Sequence, residues 1–164
     1  MPTSAAGNKH RAGGFTLLEL LVVIALIGIA TAGVSLSLRG SADSALERDA
    51  DRLATLLETA RAQARASGLV VVWRTQELAP NADRLPGQAF RFDGLPPPGL
   101  PQQWLSETTR ALPAAPVLLG PEPLIAPQAI ALTQTANPGR TLWVVTDGLR
   151  PFKVQSSPTR GAKP

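Results

Sequence analysis

The first strong pattern in the chain is an apolar run of 24 residues from Phe15 to Leu38, in which Glu19 is the one charged side chain. A helix of that length rises about 36 Å, enough to cross a bilayer core of about 30 Å with some tilt. An acidic residue in such a helix costs roughly 2.5–3.5 kcal/mol at mid-membrane and less near the interface. The run predicts a transmembrane helix over residues 15–38 whose carboxylate needs a functional reason.

An amphipathic helical pattern follows over residues 39–67, and Gly68 is the expected C-terminal stop. Gly40 is unfavourable in a helix interior, and Ser44 with Glu47 matches a capping box, so one continuous helix and a fresh helix start both remain open. Acidic residues gather early and arginines late, as a helix dipole favours: Asp43, Glu47, Asp49 and Asp51, then Arg61 and Arg65. The apolar residues recur at spacings of three and four and predict one core-facing stripe: Leu46, Ala50, Leu53, Leu57, Ala60 and Ala64.

From residue 68 to residue 155 the periodicity changes to short β-type segments separated by turn residues. Strands are predicted over 69–73, 89–92 and 129–133, with shorter candidates at 102–106 and 117–119, and a terminal hairpin pairs 141–145 with 150–154 around Thr146-Asp147-Gly148. A long N-terminal helix followed by such strands predicts an α+β fold. In it, the amphipathic second half of the helix packs on antiparallel β-sheets.

Composition argues against chemistry in this chain. There is no Cys and no Tyr, and the one histidine is His10, near the N-terminus, so the usual thiol nucleophiles, imidazole bases and metal ligands are missing. Asn81 and Asp83 are too few to predict a calcium site, and Asp147-Gly148 reads as a turn rather than as a catalytic carboxylate. The net charge is +4, but the arginines are scattered rather than clustered, so no nucleic-acid surface is predicted. We expect no enzyme activity, no cofactor and no metal.

Two interpretations of the N-terminal run follow from general patterns. A secretory signal peptide cut at Ala30-Thr31-Ala32 would release a soluble periplasmic protein or enzyme, but such signals favour unbroken hydrophobicity and a shorter core. An ordinary single-pass anchor would leave Glu19 without a purpose.

A third interpretation comes from a resemblance. A short basic leader with Lys9 and Arg11, then Gly-Phe-Thr-Leu-Leu-Glu at 14–19, then about twenty apolar residues, resembles the class III signal of the type IV pilin-like family. The resemblance implies cleavage between Gly14 and Phe15 by a prepilin peptidase, N-methylation of Phe15, and a role for Glu19 as an assembly carboxylate. Glu19 of one subunit would then meet the new α-amino group of its neighbour, which offsets the burial of both charges.

Three later segments are together similar, more loosely, to the minor pseudopilin H of type II secretion: the helix ending at Ser67-Gly68, a strand carrying Val72-Trp73, and a terminal hairpin closing on Arg150-Pro151-Phe152-Lys153-Val154. FimT-like minor pilins of type IV pili share the same plan. The implied function is a structural subunit near the tip of a periplasmic pseudopilus that exports folded proteins. Its partners would be other minor and major pseudopilins, the inner-membrane assembly platform and the prepilin peptidase. Lys9 and Arg11 precede the apolar run, so the N-terminus is expected in the cytoplasm and the C-terminal domain in the periplasm. The expected organisation is a leader (1–14), a transmembrane helix (15–38), an amphipathic helix (39–67), a β-rich domain (68–155) and a disordered tail (156–164).

Overall fold

A computed structural model describes residues 16–75, 87–112 and 115–158, and for residues 32–39 it describes the backbone alone. Its one helix in that part of the chain, α1, spans Leu17–Ser67, and seven β-strands follow. The chain divides into two compact units, Met1–Leu38 and Arg39–Pro164. This arrangement confirms the predicted α+β class, with an N-terminal helix followed by antiparallel β-sheets.

Helix α1 continues through Gly40 without a break, so the alternative of a separate helix that starts at Ser44 is wrong. The Ser44 hydroxyl donates to the Gly40 carbonyl at 3.1 Å, which is the bond of a serine inside a helix rather than of an N-cap. The helix ends at Ser67, and Gly68 follows with a φ of 69°, the left-handed conformation typical of a glycine after a helix.

The strands form two antiparallel sheets. In the three-stranded sheet the order is β2-β1-β4, and in the four-stranded sheet it is β3-β5-β6-β7. The amide side chain of Gln128, in β5, joins the two sheets, because it accepts from the Leu118 N–H at 3.0 Å and donates to the Leu118 carbonyl at 2.9 Å on β4. The strand bounds are β1 Val72–Thr75, β2 Phe90–Asp93, β3 Thr109–Ala111, β4 Val117–Leu118, β5 Gln128–Gln134, β6 Thr141–Thr146 and β7 Lys153–Gln155.

The core of the Arg39–Pro164 unit lies between α1 and both sheets. All six residues of the predicted apolar stripe on α1 are buried, with exposed fractions of 1% or less. Trp73 of β1 and Phe90 of β2 are the largest fully buried side chains, and Ile130, Leu132 and Val144 complete the core from β5 and β6. Burial of one such aliphatic or aromatic side chain contributes about 1.5–3 kcal/mol, so the stripe is the main attachment of α1 in this unit.

Several local predictions need correction. The first strand begins at Val72 rather than Leu69, because Leu69 and Val70 are exposed and only Val71 turns inward before it. No strand forms around Trp104, whose ring instead packs on Phe90 at a centroid distance of 4.6 Å. Strand β3 was not predicted at all. The terminal hairpin is confirmed, with Trp143 opposite Gln155 and Val145 opposite Lys153, although its second strand is shorter than predicted.

Within the residues described, no helix is both long enough and apolar enough to span a membrane. The predicted leader (1–14), Phe15, the loop containing Asn81 and Asp83, and residues 159–164 of the predicted tail lie outside the described residues.

Candidate processing and assembly site

Helix α1 begins with a side-chain cap. The Thr16 hydroxyl accepts a hydrogen bond from the Glu19 N–H at 3.2 Å, and the Thr16 carbonyl accepts the first helical bond, from the Leu20 N–H at 3.2 Å. Thr16 is therefore the N-cap residue and Glu19 is the third residue of the helix, the spacing of a capping box. The sequence contains this signal, Thr-x-x-Glu at 16–19, which an interpretation of Glu19 by its charge alone misses.

The helix dipole gives the Glu19 carboxylate one local stabilising interaction. Its first-turn position places it near the positive end of the helix dipole, which is worth typically 0.3–1 kcal/mol for a surface carboxylate. That is smaller than the roughly 2.5–3.5 kcal/mol for an acidic residue at mid-membrane, so the cap does not replace a cationic partner if this turn lies in lipid.

The side chains around Glu19 are apolar and exposed. Ten large aliphatic residues between Leu17 and Ile29 have exposed fractions from 42% to 82%: Leu17, Leu18, Leu20, Leu21, Val22, Val23, Ile24, Leu26, Ile27 and Ile29. Soluble monomers rarely expose a contiguous apolar surface of this kind, which marks a contact with a protein or a membrane.

Of the predicted site residues, the structure describes Glu19 and places it in the first turn of α1. Gly14 and Phe15, the predicted cleavage and methylation positions, lie outside the described residues. Their roles, and the assembly role of Glu19, therefore stay predictions.

Asp49 was predicted as a dipole-favoured acid but is a buried anchor. Its side chain is 1% exposed and accepts hydrogen bonds from the Leu105 N–H at 2.6 Å, the Ser106 N–H at 3.2 Å and the Thr109 hydroxyl at 2.7 Å. The dipole interpretation is wrong because α1 starts at Leu17, far from this residue. Asp49 instead fixes the loop that precedes β3.

Arg61 is a buried cation on the same helix. It is 2% exposed, and its Nη2 donates to the Gly148 carbonyl at 2.6 Å and to the Pro123 carbonyl at 3.2 Å. Its Nη1 lies 3.6 Å from the Glu58 carboxylate, which also accepts from the Phe152 N–H at 3.0 Å. This pair ties α1 to the terminal hairpin. Arg65 lies in the last turn of α1, as the dipole pattern predicts, and it is exposed.

A third polar contact joins α1 to the β5–β6 turn. Arg140 forms ion pairs with Glu47 and, at 2.8 Å, with Asp43. Hydrogen bonding to Glu47, followed by Asp43, raises the pKa of Arg140 further above its ordinary value. These two carboxylates thus serve the turn rather than a helix start.

The described residues contain no group of three or more His, Asp or Glu side chains arranged to hold a metal ion. The polar clusters on α1 instead bind backbone groups and loops of the same unit. Sequence reasoning missed Asp49 and Arg61 although both fit the three- and four-residue spacing of the core stripe, between Leu46 and Ala64.

Comparison with known proteins bears on the N-terminal segment. Residues 9–35 match the family model of the prokaryotic N-terminal methylation motif, which includes Gly14, Phe15 and Glu19. The chain carries a type IV pilin-like methylation motif. Such a motif suggests a membrane-anchored N-terminus.

The chain is also similar to type II secretion system protein H of Aeromonas hydrophila, with 36% identity over 71 residues. That match covers 43% of this chain and 39% of the relative, so it spans about two fifths of the relative's length. No solved structure matches the chain. The motif and this partial similarity support a pilin-like or pseudopilin-like protein.

Proposed function

We propose that the chain is a minor pseudopilin, a structural subunit at or near the tip of the type II secretion pseudopilus that drives folded proteins across the outer membrane. The observation that carries this proposal is the methylation motif over residues 9–35, which includes the start of α1 and the Glu19 of its first turn. The similarity to protein H favours type II secretion over a type IV pilus.

In this proposal, a prepilin peptidase cuts between Gly14 and Phe15, and the amine of Phe15 is then methylated. The new terminus is a cation that directly precedes the capping residue Thr16, close in sequence to Glu19. A neighbouring subunit brings its own Glu19 to this amine, and each charge satisfies the other in an apolar bundle. The exposed leucines and isoleucines of residues 17–29 supply the apolar contacts of that bundle.

The proposed location is the inner membrane, crossed once, with the N-terminus cytoplasmic and residues 39–164 periplasmic. Lys9 and Arg11 support this orientation through the positive-inside bias. The proposed partners are other minor and major pseudopilins, the assembly platform and the prepilin peptidase. The subunit is proposed to have no enzyme activity, because the chain after Gly14 contains no His, Cys or Tyr.

Deletion of the gene tests the proposal. We expect exoproteins to accumulate, already folded, in the periplasm, while surface pili and twitching motility stay intact. Protease resistance and activity of the trapped exoproteins measure their folding, and a plasmid copy of the gene should restore release.

Loss of pili with normal exoprotein release would instead identify a FimT-like minor pilin. Normal pili and normal secretion, together with a mature N-terminus just after Ala32, would favour a soluble periplasmic protein released by a signal peptidase. Both outcomes contradict the proposed function.

A further inference from the structure

A cleft of about 540 Å³ lies between the ends of β1 and β2 and the outer edge of β3. Thr75 ends β1, Ala89 precedes β2, and Ala111 ends β3, and all three line the cleft. The described lining also includes an indole, two primary amides, a hydroxyl, a carboxylate and a guanidinium: Trp104, Gln88, Gln103, Ser106, Glu107 and Arg110. The proposed function uses none of these groups.

One wall of the cleft is held in place by α1. The buried Asp49 carboxylate accepts from the backbone N–H groups of Leu105 and Ser106, and Arg52 Nη1 donates to the Gln103 carbonyl at 2.9 Å. The Trp104 ring packs on Phe90 with centroids 4.6 Å apart, which fixes the half-buried indole. Because helix and core set this wall, a ligand would not have to order it, which lowers the entropy cost of binding.

The free polar groups of the cleft both donate and accept. Within the described part of the chain, the side-chain amides of Gln88 and Gln103 form no hydrogen bond, and the buried Thr75 hydroxyl has no partner. An amide offers two N–H donors and a carbonyl acceptor, so it can bind a group that does both, such as a sugar hydroxyl or an acetamido group. The charges of Glu107 and Arg110 cancel.

The lining distinguishes between ligand classes. A peptide bound at a sheet edge needs pockets for alternate side chains, whereas the apolar side chains here are Trp104, the adjacent Leu105 and two alanines, Ala89 and Ala111. A phosphate or a polyacid needs an excess of cations, whereas the cleft has one arginine beside one glutamate. An aromatic face flanked by amides and hydroxyls suits a neutral, hydroxyl-rich ligand with an apolar ring face.

We propose that this cleft binds a neutral oligosaccharide, with Trp104 as the ring platform and Gln88 and Gln103 as the groups that select its hydroxyl or acetamido substituents. The inference depends on the Arg39–Pro164 unit alone and is independent of the proposed role in secretion.

Calorimetric titration of the full chain tests the site. The protein is kept in a zwitterionic detergent, since glycoside detergents would compete for the cleft. The probes are tri-N-acetylchitotriose and maltotriose, and we expect saturable binding of at least one with a Kd of about 1 mM, typical of a shallow, water-exposed site. Because the ligand is neutral, the Kd should change less than about twofold between 0.05 and 0.5 M salt.

Matched amide variants locate the binding. Gln103→Ala and Gln88→Ala should each weaken it at least about fivefold, the effect of a lost hydrogen bond. Gln63→Ala removes an exposed amide of α1 outside the cleft and should leave the Kd unchanged. Thermal melting checks that each variant is folded, and the exposed Gln103 side chain makes unfolding of that variant unexpected.

Three results would overturn the proposal: no saturable binding of either trisaccharide up to about 20 mM, well above the expected Kd; wild-type affinity in both cleft variants; or binding that disappears at high salt, as for a charged ligand.

Discussion

Asp49 and Arg61 place a carboxylate and a guanidinium inside the core, on the same helix as the apolar stripe. Burying a charge is costly unless hydrogen bonds replace its water. Asp49 accepts hydrogen bonds from two backbone N–H groups and the Thr109 hydroxyl. Arg61 donates to backbone carbonyls and pairs with Glu58, so neither side chain depends on one opposite charge alone. These two residues determine where the loops before β3 and around the terminal hairpin attach to α1.

Replacing Arg61 by methionine should destabilise the Arg39–Pro164 unit by about 3 kcal/mol, because the buried Gly148 carbonyl and the more exposed Pro123 carbonyl lose their donor. Urea unfolding of the full chain, followed by tryptophan fluorescence, measures the change. Arg65→Met is the control: Arg65 is exposed, and its replacement should change stability by less than about 0.5 kcal/mol. Equal stability of the two variants would mean that Arg61 does not anchor these loops.

The ionisation of Asp147 predicts a pH dependence of the free energy of unfolding. Its carboxylate accepts from the Arg150 N–H at 2.8 Å and the Leu149 N–H at 3.0 Å, and these bonds lower its pKa below 3.8. Because the folded-state pKa is the lower one, the ionised group stabilises the fold above about pH 4 and this contribution fades as the pH falls through the folded-state value.

The matched variant for Asp147 is Asp147→Asn, which keeps an acceptor oxygen but does not titrate. The wild type should be the more stable of the two near neutral pH, and the difference should shrink as the pH drops below about 4. Urea midpoints measured across this range provide the check. A difference that stays constant with pH would show that the turn does not depend on ionisation.

At the scale of elements, the sequence predicted what local patterns determine. The stripe on α1 follows from helical spacing, and the β6–β7 hairpin from β-branched residues around Asp147-Gly148. Gly148 takes a φ of 89°, which other residues rarely adopt, and its backbone packs against the loop at Ile125. The Asp147-Gly148 pair in the sequence predicts this turn.

Other features depend on contacts between distant parts of the chain. Strand β3, Thr109–Ala111, has no alternating pattern, and it exists because it pairs with β5, with Thr109 opposite Gln134. The partners of Asp49 lie 56 to 60 residues away, and the carbonyl acceptors of Arg61 lie 62 to 89 residues away. Spacing could mark both positions as core-facing, but the sequence offered no way to identify the loops they bind. In the candidate site, the charge of Glu19 in an apolar run marks it as a functional residue. The role of Thr16 as the N-cap is clear only once the first residue of α1 is known.

The division of the chain into two units predicts that the second one folds alone. The core of that unit is built from α1 residues from Leu46 onward and from both sheets. A fragment of residues 41–164 should therefore be soluble, monomeric and cooperative in thermal unfolding, with a single transition followed by circular dichroism. A molten or aggregated product would mean that the preceding apolar helix contributes to the core.

At the scale of the whole molecule, the N-terminal unit is the part that leaves apolar side chains exposed. Its described side chains are mostly exposed and apolar, whereas the Arg39–Pro164 unit buries its own core. The methylation motif lies in this N-terminal part and the polar anchors lie in the other. Under the proposed function, assembly and autonomous folding depend on different residues, and substitutions can separate them.

Glu19 is the residue that tests this separation, through Glu19→Gln and Glu19→Leu. Each variant removes the charge from the first turn, and glutamine keeps the size of the side chain. If the carboxylate only supported the helix start, either change would cost at most about 1 kcal/mol and leave assembly intact.

We expect both variants to insert into the membrane at least as well as the wild type, since a charge is removed from lipid. Intact mass should show the same cleavage before Phe15. Co-purification with other pseudopilins after cross-linking, and exoprotein release, should both be lost, because the neighbouring amine has no partner. Normal co-purification and full secretion by either variant would show that the carboxylate does not direct assembly.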